Sequence, residues 1–476
     1  MAFTNTPVAA VSHQSSLRML SVCRAKISCE RIEGTSPAGA IIPKLKCSSL
    51  SSAGTEKARG ELARRIKICA TPGERKDCCS IHSPTVSAMR GFGVLEEESI
   101  KILDMGSYFS GDDDRVMDFC EQLRRQCHEV GFFYVRNHGV PEKLCDRMLE
   151  LGRKFFDLPT EVKMQMDYTK SPQFRGYMRI GAENTAGITD FREQIELGPE
   201  ESQDIDFLDR EESGLVYPLY RRLRGPNQWP PDTLLPGFKR ETELFMEKMN
   251  ELSMHIMQAL ALSLGLQKNY FDSSFQYMPH YQMKVVKYPP QPASDCAEDV
   301  GMFGVGAHSD SGFLSLLLQD DVGGLQAKNT AGRWIDVPPE KGTFVVNLGE
   351  MLQLATGGYY LATVHRVVSQ VGSRSRYSVP FFFNPKLDTD IRAFNMLENS
   401  NQAEGRRFRS PTENSNAFGG LSTHGGKNKL LPVFGQNAFK SFARSHVNVV
   451  RQHHKDLVKA DGSVDLDKLD VEVLSS

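Results

Sequence analysis

Two histidines and one aspartate carry the most specific chemistry in this sequence. His308 and Asp310 stand two residues apart, and His365 follows after a long gap. Two imidazoles and a carboxylate can hold one face of an octahedral metal, and non-haem Fe(II) uses this arrangement because it leaves positions open for a co-substrate and dioxygen. Because alternate side chains of a strand point the same way, the spacing of His308 and Asp310 suits a strand end. The sequence therefore predicts a metal site formed by these three residues.

A second pair of residues is suited to binding a carboxylate. Arg376 and Ser378 are two residues apart, so on a strand they share a face. A guanidinium and a hydroxyl can hold a carboxylate through a charge-assisted fork and one further hydrogen bond. The alternative is a surface salt bridge of Arg376, but the strongly apolar segment 377–384 follows it, and a cation there needs a partner.

The segments around these residues predict strands that would position them. Residues 301–310 are rich in glycine, so backbone can approach a site closely. The apolar run 311–319 is typical of a buried strand. A third segment, 342–353, brings Asn347 and Gly349 to a strand end ahead of His365.

Five motifs, in this order and spacing, resemble the catalytic domain of the Fe(II)/2-oxoglutarate-dependent dioxygenases, in the group that includes isopenicillin N synthase. They are VVKYPPQP (285–292), GVGAHSDSGFLSLLLQDDVGGLQ (304–326), VNLGEMLQ (346–353), VHRV (364–367) and RYSVPFFFNP (376–385). The N-terminal half is similar to the companion domain of that family through GFFYVRNHGV (131–140), FFDLP (155–159) and residues 175–198.

The resemblance implies a fold that is mostly β with flanking helices. Its core would be a double-stranded β-helix, a distorted jelly roll, with an α/β N-terminal companion domain. We expect an extension at residues 1–93, the companion domain at 99–225, the catalytic domain at 240–385, and a C-terminal loop, closing helix and tail at 386–476.

The resemblance also implies the co-substrate and the reaction. Fe(II) would be held by His308, Asp310 and His365, and 2-oxoglutarate would chelate it while its distal carboxylate meets Arg376, Ser378 and the phenol of Tyr288. Oxidation of a small molecule by O2 would release succinate and CO2, with hydroxylation as the default outcome and desaturation or ring closure as alternatives.

One departure from the family pattern concerns the co-substrate. Plant members usually carry Asn-Tyr-Tyr where this chain has Val286-Lys287-Tyr288, so the Asn that often helps to hold 2-oxoglutarate is Val286 here. A plant-type substrate is therefore not carried over.

The residues expected to line the substrate pocket come from both domains. They are Phe383, Phe303, Arg175, Tyr177 and Arg192. Two cations near the mouth would favour an acidic or carboxylated small molecule, whereas the alternative for Arg175 and Arg192 is an interdomain salt bridge.

Bulk composition narrows the class of protein. The 476 residues are 40% hydrophobic with a formal net charge of −2, which gives no general electrostatic reason to bind nucleic acid. No apolar stretch has the length that crossing a bilayer needs. Only four cysteines, Cys120, Cys127, Cys145 and Cys296, lie beyond the first 80 residues, which favours a reducing compartment. We expect a monomer that takes a small-molecule substrate and O2, without nucleic-acid or membrane partners.

The N-terminal extension has a composition of its own. Residues 1–29 contain Arg18, Arg24 and Lys26 with many Ser, Thr and Ala, and they lack a continuous apolar core. That composition favours a plastid or other organelle targeting peptide over a secretory signal, with a cytoplasmic protein otherwise. A disordered extension or a wrongly assigned start codon is the alternative.

Helices are predicted at 112–130, 142–156, 250–266 and 437–454, with a long loop at 399–429. His446, His453 and His454 are near the end of the last helix, where histidines are usually solvated, so a metal site there is not expected.

Three functional classes stay open on sequence alone. The first is a 2-oxoglutarate-dependent oxygenase of a small metabolite. The second is an oxidase of the same fold that uses Fe(II) and O2 without 2-oxoglutarate, because such enzymes keep the Arg-x-Ser pair for another carboxylate. The third is a non-catalytic small-molecule-binding protein, against which the intact triad argues.

Overall fold

The structure is a computed structural model that describes residues 100–185, 188–202, 218–290, 303–369, 372, 374–394 and 431–469. The predicted targeting segment at 1–93 and the predicted loop at 399–429 lie outside these residues.

Fourteen strands are present in the described part of the chain. Their bounds are β1 Ile102–Asp104, β2 Phe132–Arg136, β3 Gly176–Met178, β4 Asn184–Thr185, β5 Ile188–Thr189, β6 Glu193–Leu197, β7 His280–Tyr288, β8 Phe303–His308, β9 Leu314–Gln319, β10 Leu325–Lys328, β11 Trp334–Asp336, β12 Thr343–Leu348, β13 His365–Val368 and β14 Arg376–Asn384.

Helices flank the strands. They are α1 Met105–Tyr108, α2 Asp113–Glu129, α3 Glu142–Phe156, α4 Thr160–Lys163, α5 Phe238–Ser263, α6 Asp272–Phe275, α7 Glu350–Ala355, α8 Phe434–Ser445, α9 Val447–His453 and α10 Leu466–Leu469. Short 3-10 turns occur at Met164–Met166, Tyr168–Lys170, Leu219–Leu223, Ile391–Phe394 and Lys455–Leu457. Within the described ranges, none of the helices combines the length and apolarity that a bilayer crossing requires.

Two facing sheets form the core. The larger has the strand order β1-β2-β12-β9-β14-β7-β6-β3, and the smaller has the order β11-β10-β13-β8. One apolar cluster contains Val286 and Tyr288 from the larger sheet together with Val305 and Val367 from the smaller sheet, so it lies between the two. The predicted jelly-roll core with flanking helices is therefore confirmed.

The larger sheet presents opposite faces to different surroundings because side chains alternate along each strand. Val379 and Phe381 of β14 pack with Phe245 and Met249 of α5 on the outer face. The inner face carries the other residues of β14 and β7, among them Arg376, Ser378, Val286 and Tyr288, which pair across the two strands. The residues predicted to do chemistry on these strands therefore point into the barrel.

Strands from the N-terminal half belong to the same sheet as the catalytic strands. β2 pairs with β12 from Phe132 to Arg136, and β6 pairs with β7 from Glu193 to Leu197. The companion region therefore completes both edges of the barrel sheet by hydrogen bonding.

The predicted helices are present, and two of them differ from the prediction in where they begin or end. The helix predicted at 142–156 has these bounds, and the one predicted at 112–130 begins after Asp112, whose carboxylate accepts hydrogen bonds from Asp114 N and Arg115 N. The helix expected from 250 begins at Phe238, because its first half is amphipathic and lacks the continuous apolar run used to predict it. The predicted C-terminal helix divides in two at His446, which has φ −121° and ψ 55°.

The C-terminal histidines are more buried than predicted. His446 and His454 are 6% and 4% exposed, so the expectation that they are solvated was wrong for both. They pack with Phe174, Phe439 and Phe442, and His454 Nε2 donates to Pro172 O at 2.9 Å. Helices α8 and α9 thus use histidine as a packing residue against the N-terminal half.

The burial of neutral histidines predicts loss of stability in acid. Burial, with help from Arg222, lowers the pKa of His454 to about 4, and burial lowers the pKa of His280 to about 3. Since both folded-state values lie below the ordinary pKa of about 6.5, the unfolded chain binds more protons as the pH falls through 6.5. For each histidine, the free energy of unfolding then falls by about 1.4 kcal/mol for every unit that the pH drops below 6.5, until the pH reaches the folded-state pKa.

Urea denaturation at pH 7 and pH 5 measures this effect. We expect His454→Gln to lose about 2 kcal/mol less than the wild type between the two pH values. The same substitution at the exposed His128 is the control and should follow the wild type. Equal losses for His454→Gln and the wild type would contradict the assignment.

Candidate functional site

The three residues predicted as metal ligands meet in space. His308 ends β8, His365 begins β13, and the two are paired across these strands. Asp310 follows β8, and one ligand atom of each side chain lies within 4.8 Å of the others. Asp310 Oδ1 lies 3.8 Å from Nε2 of both His308 and His365, too far for hydrogen bonds, and it leaves space for a cation about 2.0–2.2 Å from each donor.

A bulge in β8 turns His308 into the barrel. Between the pairs His308–His365 and Val305–Val367, β8 uses three residues where β13 uses two. The extra residue places His308 on the same side as the buried Val305. Gly306 lies in this bulge, and a Cβ there would come within 3.0 Å of Thr185 O. The glycine-rich sequence before His308 is therefore needed for close packing beside the metal site.

Backbone and side-chain hydrogen bonds orient the three ligands. His308 Nδ1 lies 2.9 Å from Gly306 O, and His365 Nδ1 lies 3.0 Å from Thr363 O. Because a carbonyl only accepts, each Nδ1 carries the proton and each Nε2 is left with its lone pair. Asp310 Oδ2 accepts from Ser315 Oγ at 2.5 Å and from Asn347 Nδ2 at 2.8 Å, which turns Oδ1 towards the histidines. Such outer contacts fix the geometry of metal ligands.

The electrostatic state of the triad suits a divalent cation. Burial, reinforced by His365, lowers the pKa of His308 to about 4, although Asp310 opposes the shift. Burial alone would raise the pKa of Asp310, but the two histidines and the bonds from Ser315 and Asn347 hold it below its ordinary value. At neutral pH the site therefore offers His308 as a neutral imidazole and Asp310 as a carboxylate, the protonation states that metal binding requires.

Arg376 and Ser378 form a buried anion site on the inner face of β14. They are 2% and 1% exposed. Arg376 Nη2 donates to Gln319 Oε1 at 3.0 Å, and the guanidinium lies 4.9 Å from the centre of the Tyr288 ring. Arg376 Nε and Nη1 and Ser378 Oγ have no hydrogen-bond partner among the described residues. Because buried donors are costly to leave unpaired, these atoms fit a carboxylate ligand such as the distal group of 2-oxoglutarate.

Val286 lies directly opposite Ser378 on β7 and is fully buried. Its methyl groups offer no hydrogen bond where plant members usually have an amide. The anion site on this face therefore depends on Arg376 and Ser378.

Phe383 was wrongly predicted to line the substrate pocket. It is fully buried on the outer face of β14, where its ring lies 5.3 Å from that of Phe275. Counting by two from Arg376 gives Ser378, Pro380 and Phe382 on the inner face, so Phe382 is the aromatic residue that points into the barrel.

Arg175 and Tyr177 were also wrongly predicted as substrate residues. The Arg175 guanidinium donates to three backbone carbonyls, Pro199 O and Gly225 O at 2.7 Å and Leu223 O at 3.0 Å. Tyr177 packs in the outer core and donates to Glu193 Oε2 at 2.7 Å. Both side chains use their polar atoms to hold the N-terminal half together.

Phe303 and Arg192, also predicted to line the substrate pocket, lie in different surroundings. Phe303 begins β8, about 17 Å along the strand from His308, and its ring stacks against Arg366. It therefore does not reach the three predicted metal ligands. Arg192 does lie on the inner face, where it interacts with Tyr288, but it is bound to Glu183 Oε2 at 2.6 Å and Asp190 Oδ2 at 3.0 Å. It is therefore not a free cation for an acidic substrate.

Sequence reasoning did not assign functions to Ser315, Asn347 and Gln319. All three lie on inner faces and bond to Asp310 or Arg376. Polar residues at alternate positions of otherwise apolar strands are the pattern that could have revealed them.

Comparison with protein families gives two matches in chain order. Residues 100–232 match the model described as non-haem dioxygenase in morphine synthesis N-terminal, and residues 278–385 match that of the 2OG-Fe(II) oxygenase superfamily.

Curated relatives and solved structures agree with these models. The chain is 32% identical to a 1-aminocyclopropane-1-carboxylate oxidase of Dictyostelium mucoroides, over 73% of this chain and 98% of that protein. It is 35% identical to a homoarginine-6-hydroxylase of Glycine max, over 62% and 87%. A crystal structure of a full-length Neurospora crassa protein in complex with alpha-KG and thymine superposes with a TM-score of 0.53 at 27% identity, over 61% of this chain and 87% of that one.

The hydrogen bonds to Asp310 predict that Asn347 supports metal affinity. We expect Asn347→Ala to weaken Mn(II) or anaerobic Fe(II) binding about 10- to 100-fold, and Asn347→Ala with Ser315→Ala to weaken it further. Calorimetric metal titration measures the change. Thr343→Ala is the control, because Thr343 is on the same strand and its side chain, among the described residues, bonds only to Glu340 O. Unchanged affinity in the double variant would contradict this role.

Proposed function

The chain belongs to the Fe(II)- and 2-oxoglutarate-dependent oxygenases of the isopenicillin N synthase-like superfamily, and from that premise we propose that it hydroxylates a C–H bond of a small-molecule substrate. His308, Asp310 and His365 would hold the iron. Arg376 and Ser378 would bind the distal carboxylate of 2-oxoglutarate, with Tyr288 beneath the guanidinium.

The observation that carries the proposal is the pair of prepared sites inside one barrel. One consists of three oriented metal donors, and the other consists of buried donors without partners at Arg376 and Ser378. A non-catalytic binder would need neither the tautomers fixed at His308 and His365 nor the carboxylate oriented at Asp310.

Bound Fe(II) and 2-oxoglutarate supply the oxidative decarboxylation that couples O2 to the oxidation of a C–H bond, releasing succinate and CO2. The protein contributes position and charge. Asp310 and the two imidazoles present three donors from one side, which leaves the opposite side of the cluster for ligands. Arg376 orients a dicarboxylate by its far end, and the apolar surroundings of Val286 and Val305 exclude water from that end.

Hydroxylation is supported by the relatives of Glycine max and Arabidopsis thaliana that are named hydroxylases. The Glycine max relative is named a hydroxylase, whereas the Dictyostelium relative is named an oxidase. Because the substrates in these names differ, none of them is transferred to this chain.

Removing a ligand should eliminate turnover. We expect His308→Ala and Asp310→Ala each to reduce succinate formation from labelled 2-oxoglutarate to background, since two donors no longer define one face of the metal. His128→Ala, at an exposed position, is the control and should retain full activity. Circular dichroism checks that each variant is folded. Substantial turnover by a folded Asp310→Ala variant would exclude the assignment.

The co-substrate site is tested by an anaerobic titration of the Fe(II)-loaded protein with 2-oxoglutarate, followed by the metal-to-ligand charge-transfer band. Each charge-assisted hydrogen bond contributes about 1.5–3 kcal/mol, and 1.4 kcal/mol corresponds to tenfold in affinity. Arg376→Ala should therefore raise the dissociation constant at least about tenfold.

Arg374→Ala provides a matched control for this titration. Arg374 is two residues before Arg376, its side chain is 65% exposed, and it pairs with Asp321 on the surface. Its replacement should leave 2-oxoglutarate binding unchanged. If iron binds and no band develops in the wild type, the oxidase that works without 2-oxoglutarate becomes the better account.

A further inference from the structure

A cluster of polar side chains lies on the inner face of the larger sheet beside the metal site. Lys284 shares this face with Val286 and Tyr288, and strand pairing places Glu196 opposite Lys284 and Gln194 opposite Val286. Other members come from the segment before β6 and from the end of α8. The polar cluster consists of Glu183, Asp190, Arg192, Gln194, Glu196, Lys284 and His446.

The polar cluster adjoins the metal donors through one short piece of β8. Asp190 Oδ1 accepts from Gly306 N at 3.5 Å, and Gly306 O is the carbonyl that holds His308 Nδ1. Gly306 lies about 7 Å along the strand from His308. The Asp190 end of the polar cluster therefore lies close to the metal donors.

Carboxylates outnumber cations in the polar cluster. Arg192 is bound to Glu183 and Asp190, and Lys284 Nζ lies 3.4 Å from Glu183 Oε1 and 3.2 Å from Glu196 Oε2. Three acids thus face two bases, and each base already contacts two acids. Burial alone would raise the pKa of Glu183, but Lys284 and Arg192 lower it to about 2, so this carboxylate stays ionised. The buried, ionised carboxylate of Glu183 would be stabilised by a further cation.

The unused hydrogen-bonding capacity of the polar cluster consists mainly of acceptors. Gln194 Oε1 and His446 Nε2 have no hydrogen-bond partner among the described residues, against one donor, Arg192 Nε. Ser445 Oγ donates to Ser441 O at 2.9 Å and therefore accepts from His446 Nδ1 at 2.8 Å. His446 Nε2 then carries a lone pair.

Two acceptors face each other across a gap in the polar cluster. His446 Nε2 lies 3.8 Å from Glu183 Oε1. Burial lowers the pKa of His446, so the imidazole is neutral and offers no proton to fill the gap. A nitrogen with two N–H groups that lies beside this pair, about 2.9 Å from each atom, would donate to His446 Nε2 and to Glu183 Oε1, which also accepts from Lys284 Nζ at 3.4 Å.

Solvent reaches the polar cluster although it lies inside the barrel. The side chains of Glu183, Lys284 and Arg192 are 16%, 17% and 13% exposed. The His308 side chain is 29% exposed. The metal donors and the polar cluster are therefore both partly open to solvent.

We propose that the substrate carries a cationic N–H donor group, an ammonium or a guanidinium, which binds between Glu183, His446 and Gln194 while its carbon skeleton extends towards the metal. This inference rests on the proposed function. It reverses the charge expected from the sequence, because Arg175 is bound to backbone carbonyls and Arg192 to carboxylates.

Binding of matched ligands tests the substrate class. The full chain, loaded with Fe(II) and 2-oxoglutarate without O2, is titrated with the cations butylguanidinium and pentylammonium and with their neutral counterparts butylurea and pentanol. The readouts are perturbation of the charge-transfer band and calorimetry. We expect at least one cation to bind at least about tenfold more tightly than its neutral counterpart, and to stimulate succinate formation when O2 is admitted.

Variants locate the binding in the polar cluster. Glu183→Gln should reduce the preference for the cation to under about threefold, and Glu129→Gln, which removes an exposed carboxylate, should not. Since Glu183→Gln also disturbs Arg192 and Lys284, His446→Phe is the second variant and should weaken cation binding while the 2-oxoglutarate band is retained.

The outcomes separate the two proposals. A normal 2-oxoglutarate band with no preference for any cation over its neutral counterpart overturns the substrate class alone. The same holds if the preference is unchanged in both Glu183→Gln and His446→Phe. Absence of the band in the wild type overturns the proposed function instead.

Discussion

The division of the Asp310 carboxylate between two sets of partners is the constraint on which the site depends. One oxygen is held by Ser315 and Asn347, on two neighbouring strands of the larger sheet, and the other faces two histidines of the smaller sheet. Asp310 follows β8 of the smaller sheet and its side chain bonds to two strands of the larger sheet, so it links the two sheets at this end of the barrel. Without a cation, Oδ1 would face two lone pairs at 3.8 Å, so the folded arrangement itself favours metal binding.

Because side chains alternate along each strand, the anion site and the polar cluster lie on the same inner face of the larger sheet. Each strand of the larger sheet gives one set of side chains to α5 and the outer core and the other set to the barrel. The inner set contains the anion site at Arg376 and Ser378 and the polar cluster on β6 and β7. A shift of one residue in the register of β7 or β14 would exchange these sets, so the apolar outer core also determines which polar groups meet inside.

The sequence was sufficient to predict those parts of the site whose chemistry follows from residue type and spacing. His308 and Asp310 on one strand end, and Arg376 two residues before Ser378, could be predicted because a single strand orients each pair. Phe383 was misplaced because aromatic residues stand at both 382 and 383, and only counting from Arg376 tells their faces apart. The partners of Arg175 could not be predicted from the sequence, because the carbonyls that accept its hydrogen bonds belong to residues about 25 to 50 positions away. His446 joins the site only through the packing of the C-terminal helices, which no local pattern encodes.

The proposed substrate class implies that opposite charges at the two ends of the inner face would let one barrel sort two small ligands. The buried guanidinium of Arg376 would stabilise a dicarboxylate, and the ionised Glu183 of the polar cluster would repel one. A cationic ligand experiences the reverse, because binding beside Arg376 would bury two like charges. The Tyr288 ring lies between Arg376 and the paired Arg192, so the two charged regions are separated by an aromatic group. Charge separation of this kind would order co-substrate and substrate around the metal without any movement of the fold.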